Sequence, residues 1–182
     1  MHSNRPFSKL PVFFFLTIIF TILSLINAAN VISDSCEKII HYDANVKYPV
    51  CVKVLESDQK SANTTVAQLG TIAFQMAISN TTSILSKIDT IVNDPKTDPS
   101  TKEGLKACTE IYTDANKNLQ DGLTALTSGD YFTASNKASA AQNDPAACQN
   151  KFAQSPLTKE NGYFFQLSSI ALGFADLLKA TN

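Results

Sequence analysis

Few residues in this 182-residue chain are of a type and spacing that does chemistry. Apart from His2, the one histidine is His41, set among Ile40, Tyr42 and Asp43. A Ser–His–Asp or Cys–His arrangement would have to be built on it. Its polar neighbours mark it instead as a partly exposed surface residue. Acidic groups such as Asp89, Asp94 and Asp98, or Glu110 and Asp114, are spaced as solvated helix faces are, not as an isolated acid–base pair. The six glycines form neither a P-loop nor a GxGxxG turn, so no phosphate cradle is visible. The expectation is a protein that is not an enzyme and holds no cofactor.

The cysteines carry more information. Cys36, Cys51, Cys108 and Cys148 contain no CxxC spacing, and with one nearby histidine they make a poor metal set. In an oxidising compartment an even number reads as two disulfides, with three pairings open from spacing. The expected pairing is Cys36–Cys51 with Cys108–Cys148, because each bond then staples neighbouring elements. The chain-entropy model assigns about 3 kcal/mol to the first and about 4 kcal/mol to the second. Two glycosylation sequons occur, Asn63-Thr64-Thr65 and Asn80-Thr81-Thr82. Asn63 stands at an expected helix start and is the better acceptor; Asn80 falls mid-helix, where it faces either solvent or a neighbouring helix.

The oxidising compartment is itself read from the N-terminus. Arg5 and Lys9 precede a nearly unbroken apolar run from Leu10 to Ile26, and small residues follow at Ala28 and Ala29. That pattern is expected to be a secretory signal peptide over residues 1–29, cleaved after one of the two alanines, with a signal anchor as the other reading of so long a run. No later stretch is apolar enough to span a bilayer, so no membrane association is expected after cleavage. The remainder, residues 30–182, has 13 lysines against 16 acids, a formal charge of −3. Such a surface lacks the clustered cations that bind nucleic acid or anionic membrane. Its length suffices for one domain with a core of its own.

The positioning elements read as helices throughout. A hairpin over residues 30–59 pairs the run around Ile39 and Ile40 with one opened by Pro49, across the break at Asp43-Ala44-Asn45. Residues 60–182 follow as four helices. The first runs from Asn63 to Val92 on Val66, Leu69, Ala73, Met76, Ile84, Ile88 and Ile91. The second starts near Thr101, expected as its cap, and ends at Ser128-Gly129. The third, capped by Asp130, covers Tyr131 to about Gln142 with a small-residue face (Ala134, Ala138, Ala141), and Asn143-Asp144-Pro145 ends it. A short piece carries Cys148 and Phe152. The last helix uses Phe164, Leu167, Ile170, Ala171, Phe174 and Leu178 and runs to about Lys179. The fold class expected is all-α: an antiparallel four-helix bundle behind an N-terminal helical hairpin, with two disulfides.

The set of Asn45-Val46-Lys47-Tyr48-Pro49-Val50-Cys51, Cys108-Thr109-Glu110-Ile111-Tyr112, Ser128-Gly129-Asp130-Tyr131 and Ser155-Pro156-Leu157-Thr158-Lys159-Glu160-Asn161 resembles the plant invertase and pectin methylesterase inhibitor family. The likeness covers the whole chain beyond the signal and is nearest to the invertase-inhibitor-like members that include a plane-tree pollen allergen. The resemblance implies the same fold, disulfides pairing first-to-second and third-to-fourth, and a secreted apoplastic or vacuolar monomer. That monomer would form a 1:1 complex plugging the active-site cleft of a cell-wall or vacuolar invertase, or alternatively of a pectin methylesterase. Well-understood invertase inhibitors carry Pro-Lys-Phe after the Gly-Asp that begins the third helix; here Tyr131-Phe132-Thr133 follows Asp130. The interface residues implied are Asp130, Tyr131, Phe132, Thr133 and Lys137, with Phe132 as aromatic anchor and Lys137 as a cation; packing for Tyr131 and solvation for Lys137 are the plainer readings. Many pectin methylesterase inhibitors have a fifth cysteine in the last helix, which this chain lacks. A non-inhibitory carrier of an apolar ligand, or a signalling protein, is the alternative of another class, and the small-residue third helix argues for close packing over a cavity.

Overall fold

The computed structural model describes the backbone of residues 10–61 and 64–182, and the side chains of 14–19, 31–61 and 64–182. Its regular structure is helical: α1 (Leu10–Ile40), α2 (Tyr48–Glu56), a short 3₁₀ turn (Gln59–Ser61), α3 (Val66–Asn93), α4 (Pro99–Thr127), α5 (Tyr131–Gln149) and α6 (Thr158–Thr181). Helices α3 to α6 form a closed ring in which α3 packs on α4, α4 on α5, α5 on α6 and α6 on α3. The antiparallel hairpin of α1 and α2 lies against α6 and α3. Among the described residues no helix is long and apolar enough to cross a membrane. Helix α1 passes through Ala28 and Ala29 without a break, and its Phe14, Phe15 and Leu16 are exposed.

Capping places most of the boundaries. Helix α3 begins at Val66, not Asn63, because Thr65 and Gln68 form a reciprocal capping box: each side chain accepts from the other residue's backbone N–H. The sequon asparagine Asn63 lies outside the described residues. Helix α4 is capped by Asp98, with Pro99 in its first turn; Thr101, expected as the cap, supplies the N–H that Asp98 Oδ1 accepts at 2.9 Å. The expected break at Pro145 is absent. Helix α5 continues to Gln149 with Pro145 buried inside it. An interior proline costs about 3 kcal/mol. Burial of Pro145 and the disulfide from Cys148 to Cys108 on α4 oppose that cost and hold the last turn helical.

Helix α6 is the centre of the molecule. Its expected apolar stripe is buried, and so are Ser168, Ser169, Leu172, Gly173, Ala175 and Leu177 around the rest of its circumference. The second buried face exists because the hairpin covers it. A Cβ at Gly173 would meet Ile39 Cβ of α1 at 2.9 Å, so glycine is what lets the two helices approach. Tyr112 of α4 stacks edge-on against Phe164 at 5.3 Å between ring centroids. Its hydroxyl donates to Asn161 Oδ1 at 2.8 Å, which satisfies both polar groups inside the core.

Candidate functional site

The turn between α4 and α5 is built from two overlapping devices. At the end of α4, Gly129 adopts φ +84, its N–H donates to the Leu126 carbonyl, and the Asp130 N–H donates to the Ala125 carbonyl. This is a Schellman ending, in which a left-handed glycine reverses the chain. Asp130 at once begins α5, its Oδ1 accepting the Thr133 N–H at 3.0 Å. Hydrogen bonding to Thr133 holds the Asp130 carboxyl below its usual range. The Gly-Asp pair therefore turns and re-caps the chain within two residues, and the first turn of α5 is held rigidly on the bundle.

That turn presents its residues unequally. Phe132 projects with 67% of its surface exposed. Tyr131 beside it is half-buried against the core, and Thr133 is half-buried as well. Lys137 is neither a free cation nor a fully solvated lysine. Its ammonium lies 3.4 Å from Asp121 Oδ2 and 3.2 Å from Asn118 Oδ1, both on α4. Asp121 also takes Lys117 at 2.8 Å, and that hydrogen bond is the chief reason its carboxyl stays below the usual range. Of the five residues expected at an interface, Phe132 is thus the one exposed large apolar side chain, standing on a frame made by Asp130 and Thr133.

The groups considered for catalysis do not assemble. His41 is exposed in the turn after α1, and all four cysteines are paired, Cys36 with Cys51 and Cys108 with Cys148. Asp89, Asp94, Glu110 and Asp114 are exposed, and Asp98 serves as a cap. Among the described residues no His, Cys, Asp and Glu group is arranged to hold a metal. A cleft of about 390 Å³ lies between the end of α1 and the ends of α3 and α6, lined by Lys38, His41, Tyr42, Val66, Leu177, Leu178 and Thr181, and it is open to solvent.

Two polar clusters escape a reading of apolar periodicity. In the first, Gln166 of α6 accepts the Lys47 N–H at 3.0 Å and donates to the Asn45 carbonyl at 3.1 Å. Gln142 of α5 donates to the buried carboxylate of Asp43 and, at 2.8 Å, to the Ser169 hydroxyl. These bonds latch the hairpin's turn onto α5 and α6. The only hint in the sequence is the presence of glutamines on core-facing helices. The second surrounds Tyr112. Burial, then the charges of Asp144 and Glu160, push its phenol pKa up. Burial, then Asp114, raises Asp144 from 3.8 to about 6, and one of its carboxylate oxygens is buried without a partner. Burial acts on Glu160 the same way, but the hydrogen bond and charge of Lys87 outweigh it and leave the Glu160 pKa lowered.

Asp144 makes a pH prediction with a definite sign. Its native pKa lies above its unfolded value, so between about pH 4 and pH 6 the folded state retains a proton that the unfolded state has lost. Its contribution to stability falls as pH rises through that window. Asp144→Asn should therefore be more stable than the parent at pH 7.5, by about 1 kcal/mol once screening of a half-exposed carboxylate is allowed for, and melt at a higher temperature. The gap should close by pH 4. Thermal melts at the two pH values check this, and a gap unchanged at pH 4 would refute it.

The molecule is a disulfide-stapled helical bundle that holds the exposed Phe132 on an ordered, capped turn. Comparison with known proteins gives that class a family. The chain belongs to the plant invertase/pectin methylesterase inhibitor family, whose sequence model matches residues 30–173. It is 34% identical over 177 residues to a Platanus acerifolia protein named "Putative invertase inhibitor", covering 94% of this chain and 97% of that one. It is also 34% identical over 107 residues to the pectinesterase inhibitor of Actinidia deliciosa, covering 59% and 57%. The fold matches a crystal structure of a mutant pectin methylesterase inhibitor from Arabidopsis at TM-score 0.64 and 24% identity, across 78% of this chain and 93% of that one. The family consists of enzyme inhibitors, not enzymes, and its partners are invertases or pectin methylesterases.

Proposed function

We propose that this chain is a secreted inhibitor of a plant cell-wall or vacuolar invertase, acting as a monomer in a 1:1 complex by filling the enzyme's active-site cleft. The observation that carries the plug mechanism is Phe132, exposed on a turn locked by Gly129 and Asp130. Such an anchor inserts with little entropy cost, because the frame beneath it is already ordered. Residues 1–29 act as the signal that delivers the protein to the apoplast or vacuole; the exposed apolar side chains of Phe14, Phe15, Leu16 and Ile19 support this. Residues 30–59 form the hairpin and 60–182 the bundle. Invertase is favoured over pectin methylesterase by the near full-length likeness to the Platanus protein and by the absence of a fifth cysteine.

The test is a parallel titration of the refolded protein, without residues 1–29, against one cell-wall invertase and one pectin methylesterase at mildly acid pH. Stoichiometric loss of sucrose hydrolysis alone is the expected result. Loss of methylesterase activity alone would assign the protein to the other target. Both enzymes staying active would overturn the inhibitor reading.

A further inference from the structure

The seam between α3 and α6 holds a second feature, on a different face from the α4–α5 turn. Asn80, of the sequon Asn80-Thr81-Thr82, sits in the middle of α3 and is half-buried. Its side-chain oxygen is buried without a hydrogen-bond partner, while its amide nitrogen is neither buried nor bonded. The oxygen is therefore enclosed, while the nitrogen keeps access to solvent. A hollow of about 220 Å³, open to solvent, is lined by Asn80 together with Met76, Ser79, Ser83, Tyr163 and Leu167. Tyr163, from α6, is 45% exposed and brings an aromatic ring with a polar hydroxyl to the hollow.

We propose that Asn80 carries an N-linked glycan whose first N-acetylglucosamine rests against Tyr163 in this hollow. The proposal rests on the secretory route given above, since the donor is a lipid pyrophosphate-linked oligosaccharide in the secretory lumen. In the transfer the Asn80 Nδ2–C1 bond forms and the C1–O bond to pyrophosphate breaks. The pyrophosphate leaves on the lipid, and the amide gives up one proton. A helical sequon is a poor substrate for this reaction, but α3 is not yet a stable helix when it is made. Its buried face packs on α4 and α6, which emerge later, and isolated helices hold weakly in water. Asn80 is thus extended and accessible on the nascent chain, and the completed fold leaves its nitrogen the one open direction that a glycan needs.

The position is compatible with inhibition. Asn116 of α4 donates to Thr81 Oγ1 and to the Ile78 carbonyl, which sets Asn80 level with Asn116 along the bundle. Thr127 at the end of α4 is about 16 Å further along the axis at 1.5 Å per residue. The α3–α6 seam also lies across the helix ring from the α4–α5 pair, so a glycan there starts on a different face from the Phe132 turn.

The experiment expresses the full chain in plant cells with Asn63→Gln, so that Asn80 holds the only remaining sequon, and maps peptides from the medium by mass. The expected result is hexosamine-bearing mass on the Asn80 peptide in most molecules, lost on Thr82→Ala. Tyr163→Ala should keep the modification, because transfer precedes folding, yet let peptide N-glycosidase release the glycan from the native protein several-fold faster. A bare Asn80 in secreted protein overturns the site alone. Unmodified protein retained in the cells overturns it together with the secretory reading. Equal release rates overturn the Tyr163 contact.

Discussion

Replacing Cys108 and Cys148 together by serine should lower the stability of the bundle by about 4 kcal/mol, as the chain-entropy model gives for a loop of this length. The bond spans 40 residues and ties the C-terminal end of α5 to the first half of α4. It also holds the turn that follows the buried Pro145, where the backbone hydrogen-bond ladder is already interrupted. Loss should thus appear first as fraying of residues 145–152, seen as faster amide exchange there, and then as a lower urea midpoint. Phe152, whose ring edge lies where a Cβ on Gly104 would be, should loosen with it. A loss below about 1 kcal/mol would mean that packing alone holds α5 to α4. The Cys36–Cys51 bond closes a loop of 15 residues, and its removal should cost about 3 kcal/mol. That loss should be confined to the hairpin, because the bonds from Gln166 and Gln142 also hold its turn.

Phe132→Ala should weaken inhibition of invertase by roughly 30- to 150-fold, the 2–3 kcal/mol expected of a buried aromatic anchor. The same substitution should leave folding stability within about 0.5 kcal/mol, because the ring is exposed in the free protein. That separation makes the result interpretable: a weaker inhibitor with an unchanged melt identifies a contact, not a damaged fold. Lys137→Ala should have a smaller effect on inhibition, because its ammonium is already shared with Asp121 and Asn118. It should instead cost about 0.5 kcal/mol of stability, the scale of a partly exposed ion pair. Unchanged inhibition by the Phe132 variant would remove the α4–α5 turn from the interface and direct attention to the hairpin, where Tyr42 and Tyr48 are also exposed.

Much of this architecture is legible in the residues themselves. Apolar spacing marks α3, α4 and α6, and Asp130 and Gly129 announce a turn because a carboxylate cap and a left-handed glycine have few other uses. The poverty of histidine and the even cysteine set argue against most side-chain chemistry. What failed failed locally. Thr101 and Asp98 are both competent caps, and which one acts depends on where Pro99 places the first turn. Pro145 is a helix breaker by local rules, and it was overridden by burial and by a covalent bond to another helix.

The fate of Lys137 and the second buried face of α6 depended on neighbours far along the chain. Asp121 is 16 residues from Lys137, and Ile39, which seats on Gly173, is 134 residues away. Periodicity reports which face of a helix is apolar, because that is a property of consecutive residues. It cannot report which other helix, polar latch or ion pair will meet that face, because those partners are brought together only when loops close and the bundle packs. Residue types and spacing alone point to a helical, disulfide-stapled bundle. Packing between segments distant in the chain makes α6 the core, latches the hairpin through Gln142 and Gln166, and leaves Phe132 exposed on the α4–α5 turn.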